Sequence, residues 1–426
     1  MIAFFVVAVL SIILLFVSRK TGGGIGSPSF MITFFWVGLT LASIIGTVGL
    51  HSWGYLGIIW IYLALFLFNI CYFIGDKFYI KSSSFQSVNN RIMMTGSFST
   101  YSFYLFILFL AFGNWVYFVY TNGFSLNNFM SLASLAEMNN SLSIERYSGG
   151  YGNRSPIAAV LGIAPFAAVA CAGFSYPFKK NKKETIFYVS SCIPCFLSMM
   201  TDSTKAGFIA AIFLFFPSMM IGYYYAHSHW PVFSLKKICF YFVGCLVAIM
   251  LLVTAMVLRM GSVSLDNLLV VEQKFIMYAF GSIFNFDLWL SDYYSFGDEL
   301  TYGIITFLSL ADSLGLVERV QGVFDPITGS AGNVYTVFRG IIMDFGIIGG
   351  LLYTAFQGLF LGLAVSTLRH AQKPWLSPVI SVAIMFFMFF GMVISPWTYR
   401  SFLAAVIIFA FYLLVAFRFK LTGTHA

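Results

Sequence analysis

Four basic residues lie at the ends of long apolar stretches, and their positions point to chemistry on an anion. Lys205 lies in a short polar link, Arg259 follows an apolar stretch, Arg339 precedes one, and Arg400 lies in a second short link. Arginine presents a planar fork of N–H donors that suits phosphate oxygens, and lysine presents a point charge. As a group, these cations predict a diphosphate site. The alternative is interfacial placement or pairing with local acids, such as Lys205 with Asp202.

Asp344 lies about one turn inside the apolar stretch that follows Arg339. An ionisable side chain at membrane depth is a functional candidate, because its burial is costly. The alternative is a structural partner for Arg339 or Arg400. Just upstream, the Gly329–Gly332 turn and Asn333 provide flexible backbone and a helix cap, and a helix N-terminus beside an arginine favours anions.

The sequence gives little support for a metal site. His227 and His229 are the closest pair among the five histidines, and they are interpreted as solvated residues of an inner loop. Neither a P-loop, a dinucleotide fingerprint nor a nucleophile elbow occurs. The six cysteines lie within apolar stretches, so no disulfide framework is predicted, and Cys192 and Cys195 are interpreted as packing residues. We therefore expect no metal and no other cofactor.

The elements that must position these residues are membrane helices. Of the 426 residues, 60% are hydrophobic and only 9% are charged, which excludes an ordinary soluble domain. The sequence predicts one all-α integral membrane domain over residues 1–426, with about eleven spans. The predicted spans are Ile2–Ser18, Ser29–Leu50, Trp53–Gly75, Ser97–Tyr120, Pro156–Tyr176, Thr185–Met200, Phe208–Ala226, Ile238–Leu258, Gly340–Thr367, Ser377–Ile394 and Ser401–Phe417.

Charge in the loops sets the orientation. If the N-terminus is outside, the inner side receives 15 of the 23 basic residues and only two of the 15 acids. Every inner loop is then basic, as the positive-inside rule requires, and the C-terminus is inside. The net charge of +8 reflects this distribution, and no basic stretch interleaved with aromatic residues suggests nucleic-acid binding.

Two long segments lie on the outer side, at residues 121–155 and 259–338. Long loops of this kind usually carry function. Within the second, Phe275–Phe286 and Tyr302–Leu316 are apolar and aromatic but interrupted, which predicts interfacial helices or helices folded over a cavity. The alternatives are a re-entrant pair or two further spans.

Glycines recur at intervals of four in the predicted span Gly340–Thr367, which follows the second outer segment. Gly346 and Gly350 form one such pair, and Gly358 and Gly362 form another. Small residues at this spacing allow two membrane helices to approach closely. We therefore predict that these four glycines serve packing.

The stretch Gly332–Arg339, followed by Asp344-Phe-Gly346 and a glycine-rich span, resembles the O-antigen polymerases (Wzy type), which are oligosaccharide repeat-unit polymerases of bacterial surface polysaccharides. The number of spans, the two enlarged outer loops and the outer cations are also similar to that family. The resemblance covers the whole chain in topology, but in motif only about Gly329 to Gly362.

The resemblance implies a multi-pass protein of the bacterial inner membrane, with a periplasmic N-terminus and a cytoplasmic C-terminus. Such polymerases join oligosaccharide units carried on undecaprenyl diphosphate, by a metal-independent glycosyl transfer on the periplasmic face. The implied partners are this lipid-linked oligosaccharide and membrane lipid. Whether a chain-length regulator protein also binds stays open.

The resemblance also implies roles for residues of the outer loops. Arg339 is the best positional match for a diphosphate-binding arginine, and Lys205 stands where the family often has an arginine. Arg400, Arg259, Arg154, Arg146 and Arg319 are weaker matches, and Asn333 and Tyr335 belong to the same motif. The acceptor hydroxyl needs a base. Glu145, Asp202, Asp312 and Asp344 are the candidates, and the sequence does not choose among them.

Two rival functions remain. An O-antigen ligase has a similar architecture, but members of that family resemble one another in a histidine of the large periplasmic loop, and residues 259–338 contain none. A flippase for lipid-linked oligosaccharides would place basic residues deep within spans, whereas the predicted span interiors here are nearly free of charge.

Overall fold

The computed structural model describes residues 2–48, 52–78, 98–147, 155–202, 205–232, 234–261, 264–293, 299–318, 332–370 and 375–418. Helices and the turns between them make up this described part, which contains no strand, so the all-α prediction is confirmed there. The helices are α1 (Ile2–Gly22), α2 (Pro28–Gly46), α3 (Leu56–Lys77), α4 (Phe98–Thr121), α5 (Leu132–Tyr147), α6 (Pro156–Leu161), α7 (Ala164–Ser175), α8 (Lys182–Val189), α9 (Ile193–Asp202), α10 (Lys205–His227), α11 (Leu235–Arg259), α12 (Leu265–Ser291), α13 (Leu308–Ser313), α14 (Val337–His370), α15 (Leu376–Phe390) and α16 (Arg400–Arg418).

The chain divides into two compact units, each assembled from separate stretches of sequence. Unit 1 comprises Met1–Arg91, His227–Trp230 and Ile276–Leu403, and unit 2 comprises Ile92–Ala226, Pro231–Phe275 and Ala404–Ala426. Neither unit is a contiguous segment. The prediction of a single membrane domain stays a prediction.

Within the described residues, eight helices are long and apolar enough to cross a membrane. They are Phe4–Gly22, Pro28–Gly46, Leu56–Lys77, Thr100–Thr121, Pro156–Phe178, Lys205–His227, Val337–His370 and Arg400–Phe417. Two shorter apolar helices, Val243–Arg259 and Leu376–Phe390, coincide with further predicted spans. The count of about eleven spans stays a prediction.

Proline placement divides the predicted span Thr185–Met200 into pieces. A short 3-10 turn at Ser190–Cys192 joins α8 to α9, and Pro194 is the second residue of α9. Proline is tolerated in a first turn because the N–H groups there have no partner within the helix. By contrast, α10 continues through Pro217.

Helices α3 and α14 of unit 1 pack closely through glycines, as the sequence predicts for Gly358 and Gly362. A Cβ at Gly358 would overlap the carbonyl oxygen of Phe68, and one at Gly362 would overlap that of Tyr72. Any larger residue at either position would therefore push the two backbones apart.

The same two helices run parallel. Trp60 Nε1, near the start of α3, donates to Ile347 O at 3.3 Å, and Arg369, near the end of α14, pairs with Asp76 at 2.9 Å. If both helices cross the membrane, parallel packing requires an odd number of crossings between them. Five spans are predicted between Gly75 and Gly340, and this odd number meets the requirement unless α12 crosses as a single additional span.

Helix α12 differs from the interfacial helix predicted over Phe275–Phe286. The stretch from residue 281 to residue 287 is buried on all sides in unit 1, whereas an interfacial helix keeps one face exposed. Over Tyr302–Leu316, the structure has a series of turns and only the short helix α13. Loop backbone of this kind is stable only where other protein groups satisfy its hydrogen bonds.

Candidate functional site

Arg339 lies in the first turn of α14 and is 7% exposed. The centre of its guanidinium lies 4.1 Å from the ring centroid of Tyr335 and 5.6 Å from that of Trp289. Both distances fall within the range of cation–π contact. Stacking uses the face of the guanidinium, and its N–H donors lie in the plane of the group. Of the predicted site residues, Arg339 and Tyr335 are therefore brought together.

The C-terminal half of α12 supports this arrangement through Asn285, which is 1% exposed. Asn285 Nδ2 donates to Val334 O at 2.9 Å, and a longer contact of 3.4 Å joins it to Gly332 O. Trp289 lies four residues further along α12, on the same face of the helix. One helical face thus holds both the backbone that leads to Tyr335 and a ring that contacts Arg339.

Asp287 ties the same part of α12 to the start of α3. Its carboxylate, which is 1% exposed, accepts from the backbone N–H groups of Gly54 at 2.8 Å, Tyr55 at 2.9 Å and Gly57 at 2.7 Å. A carboxylate at a helix N-terminus satisfies donors that have no partner within the helix. Helix α12 is not one of the eight candidate spans. Burial raises the pKa of the Asp287 carboxyl, and the hydrogen bonds from the backbone N–H groups oppose this shift.

Sequence reasoning missed Asn285 and Asp287. The signal available was two polar residues within the otherwise apolar stretch Ile283–Leu290. Polar side chains in such a stretch must find partners when the stretch is buried.

Helix α14 is broken at Gly346, which has φ 74° and ψ 175°. This conformation is essentially restricted to glycine. Gly346 therefore allows the helix to break at this point, which corrects the prediction that this glycine allows close helix packing. The break leaves carbonyls without helical partners, and the backbone N–H groups of Thr301 and Tyr302 donate to Met343 O at 3.1 Å and Asp344 O at 3.0 Å.

The Asp344 side chain, which is fully buried, is tied to the same loop. Its oxygens accept from Thr301 Oγ1 at 2.5 Å, Ile305 N at 3.0 Å and Thr306 N at 2.6 Å. These donors occupy three of the roughly four acceptor sites of an ionised carboxylate. All three of these donors belong to the loop segment from Thr301 to Thr306, which favours a structural role for Asp344, and its role as a base stays a prediction.

Arg400 pairs with Asp312 of α13, one of the four candidate bases, at 2.7 Å. The Arg400 side chain is 51% exposed and that of Asp312 is 15% exposed. Two further bonds join the loop to the link before α16, from Ser309 Oγ to Trp397 O and from Ser395 Oγ to Thr306 O, each at 2.6 Å. The predicted alternative for Arg400, pairing with a local acid, is therefore what the structure has.

Five predicted residues of the described part lie in unit 2. Arg259 Nε donates to Ser143 Oγ of α5 at 2.8 Å, Lys205 is the first residue of α10, and Glu145 is exposed on α5. Arg146 and Asp202 lie at the ends of α5 and α9, with their side chains outside the described part.

The remaining candidates add little to the site. Asn333 is exposed just before Tyr335, and Arg154 and Arg319 lie outside the described residues. Within the described residues, no group of three or more His, Cys, Asp or Glu side chains could hold a metal ion.

The helices long enough to cross a membrane define the class of this chain, which is a multi-pass membrane protein of helical fold. Comparisons with protein-family models, with curated proteins and with solved structures find no match. Function must therefore be argued from the residues around Arg339.

Proposed function

We propose that the protein is a polymerase of the bacterial inner membrane that joins oligosaccharide units carried on undecaprenyl diphosphate, on the periplasmic face. The observation that carries the proposal is the buried guanidinium of Arg339 in the first turn of α14, against Tyr335 and Trp289. A diphosphate bound there interacts with both the guanidinium and the positive end of the helix dipole.

The proposed reaction moves the growing chain from its lipid onto a new unit. A sugar hydroxyl of the incoming unit attacks the anomeric carbon of the chain, the bond from that carbon to the diphosphate oxygen breaks, and the lipid diphosphate leaves. Negative charge develops on the leaving diphosphate, and a cation fixed beside it lowers the barrier. In this scheme Arg339 holds the leaving group.

The hydroxyl proton passes to a base, for which we retain Asp312. Its carboxylate belongs to unit 1, keeps 15% exposure and is held at 2.7 Å by Arg400, which fixes its position. Asp344 is committed to three donors of the loop. The geometry required of a general base is reach to the proton it abstracts.

The flippase alternative would find its best support in the broken helix α14, because interrupted helices often form the sites of transporters. Here the carbonyls of Met343 and Asp344 at the break are bonded by Thr301 and Tyr302 of the same chain. The break is therefore filled by protein, which favours a structural purpose for it.

The test is the polysaccharide pattern of a strain that lacks the gene. Loss of a polymerase leaves single units on the final acceptor, loss of a ligase leaves bare acceptor with polymer on the carrier lipid, and loss of a flippase leaves neither polymer nor exported units. Complementation with Arg339→Ala should give single units at normal membrane levels of protein. Arg369→Ala, at the opposite end of α14, is the matched control and should restore long chains.

Long chains from Arg339→Ala would remove Arg339 from the mechanism. If the deletion strain had bare acceptor with polymer on the carrier lipid, the protein would be a ligase and not a polymerase. If it had neither polymer nor exported units, the protein would be a flippase.

A further inference from the structure

Four lysines are concentrated in one turn of unit 2, which we call the basic turn (Lys179–Lys183). It follows the candidate span Pro156–Phe178 directly, and its remaining residue is Asn181. Lys180, Lys182 and Lys183 are exposed. Charge distribution predicts that this turn lies on the inner side of the membrane.

Within the described part of the chain, the lysine side chains of the basic turn form no ion pair. Among the described residues, no carboxylate lies within 4.0 Å of these lysine ammonium groups. The adjacent acid, Glu184, instead accepts from the backbone N–H of Lys180 at 2.7 Å. The Lys179 ammonium lies 3.2 Å from the ring centroid of Tyr176, a contact that leaves its charge in place.

The basic turn is held in a fixed position by α8, which begins within it. On one face of α8, Phe187 O accepts from Tyr104 Oη of α4 at 3.2 Å, and the ring centroids of Tyr104 and Phe187 are 5.0 Å apart. Tyr188 also packs on Tyr104, with ring centroids 5.6 Å apart. The described contacts of this face therefore anchor α8 to a candidate span.

The other face of α8 begins an exposed apolar stripe. Ile186 is 71% exposed, Val189 is 47% exposed and Ile193, at the start of α9, is 42% exposed. Spacings of three and four place these side chains on one side. An exposed apolar stripe in a membrane protein faces lipid tails, so the lysines just before it lie at the depth of the headgroups.

We infer that the basic turn binds the phosphate groups of anionic phospholipids in the inner leaflet. The chemical match is between several lysine ammonium groups and phosphodiester anions, with apolar side chains directly beneath for the acyl chains. Juxtamembrane lysines attract anionic lipid with an energy that corresponds to about fivefold in affinity per residue. This inference does not depend on the proposed polymerase activity.

The test compares binding of phosphatidylglycerol with binding of phosphatidylcholine to the purified full-length protein in detergent, by native mass spectrometry. The variant K180Q/K182Q/K183Q removes the three exposed charges of the turn. Its preference for phosphatidylglycerol should fall by ~100-fold if the three contributions are independent. Raising the salt concentration should reduce the wild-type preference as well.

A matched control removes three other inner charges, with K20Q/K236Q/K237Q. This control should lose clearly less of the preference than K180Q/K182Q/K183Q does, because it leaves the lysines of the proposed site in place. Equal losses in both variants would show a general effect of net charge and overturn the inference. The inference would also be overturned if the wild type showed no preference for phosphatidylglycerol. Displacement of phosphatidylglycerol by an equal concentration of polyglutamate would overturn it in favour of an acidic protein partner.

Discussion

Replacing Asp344 by alanine should destabilise the protein, because the carboxylate is the acceptor for three donors of the loop before α14. Thr301 Oγ1 has a second acceptor, Met343 O at 3.4 Å, and can rotate toward it. The backbone N–H of Thr306 is buried, and that of Ile305 is partly buried. An unsatisfied buried donor costs about 1–3 kcal/mol, so the expected loss in free energy of unfolding is about 2–4 kcal/mol.

The assay is an equilibrium unfolding titration of the purified protein in mixed micelles, with Asp344→Asn as the graded variant. Asparagine keeps one carbonyl oxygen, so its expected loss is about half as large, about 1–2 kcal/mol. Asp312→Ala is the control, because its ion pair with Arg400 is partly exposed and such pairs contribute about 0–1 kcal/mol. Wild-type stability of Asp344→Ala together with lost polymer synthesis would refute the structural role and return Asp344 to the catalytic candidates.

Three further predictions follow from the same geometry. Gly346→Ala should cost about 1–3 kcal/mol in unfolding free energy because of its positive φ, whereas Gly38→Ala, at an open position of α2, should be neutral or slightly stabilising in the same titration. Arg400→Ala should change that free energy by only about 0–1 kcal/mol, since its side chain is 51% exposed; a loss as large as that of Asp344→Ala would show a buried network instead. In a background without cysteines, Asn333→Cys should react with an impermeant maleimide from the outer side and Lys182→Cys only from the inner side. The reverse pattern would overturn the orientation.

The helices that cross the membrane were predictable because long apolar stretches leave the backbone few other options. The predicted Trp53–Gly75 and the observed α3 (Leu56–Lys77) differ by a few residues at each end. The glycine contacts of Gly358 and Gly362 were also predictable, since spacing alone places both on one helical face.

The prediction for Gly346 was wrong because spacing does not distinguish a packing glycine from one that adopts a positive φ. The two uses give the same local sequence signal, and only the loop that bonds to the break reveals which applies. Asp344 was ambiguous for a similar reason. Its donors, Thr301 to Thr306, lie about forty residues earlier in the chain, and a pairing of that range is not encoded in local periodicity.

The placement of α12 was the least predictable feature and matters most for the proposed site. A cation in the first turn of a helix opposes the helix dipole, so Arg339 needs compensating groups around it. Trp289 provides one of these, and Asn285 and Asp287 hold the helix that carries Trp289 against the segment before α14 and the start of α3. Helix α12 therefore contacts the start of α3 through Asp287 and the first turn of α14 through Trp289. In the anion site that we propose, the buried half of α12, a helix of the segment predicted to lie outside, gives Arg339 an aromatic neighbour.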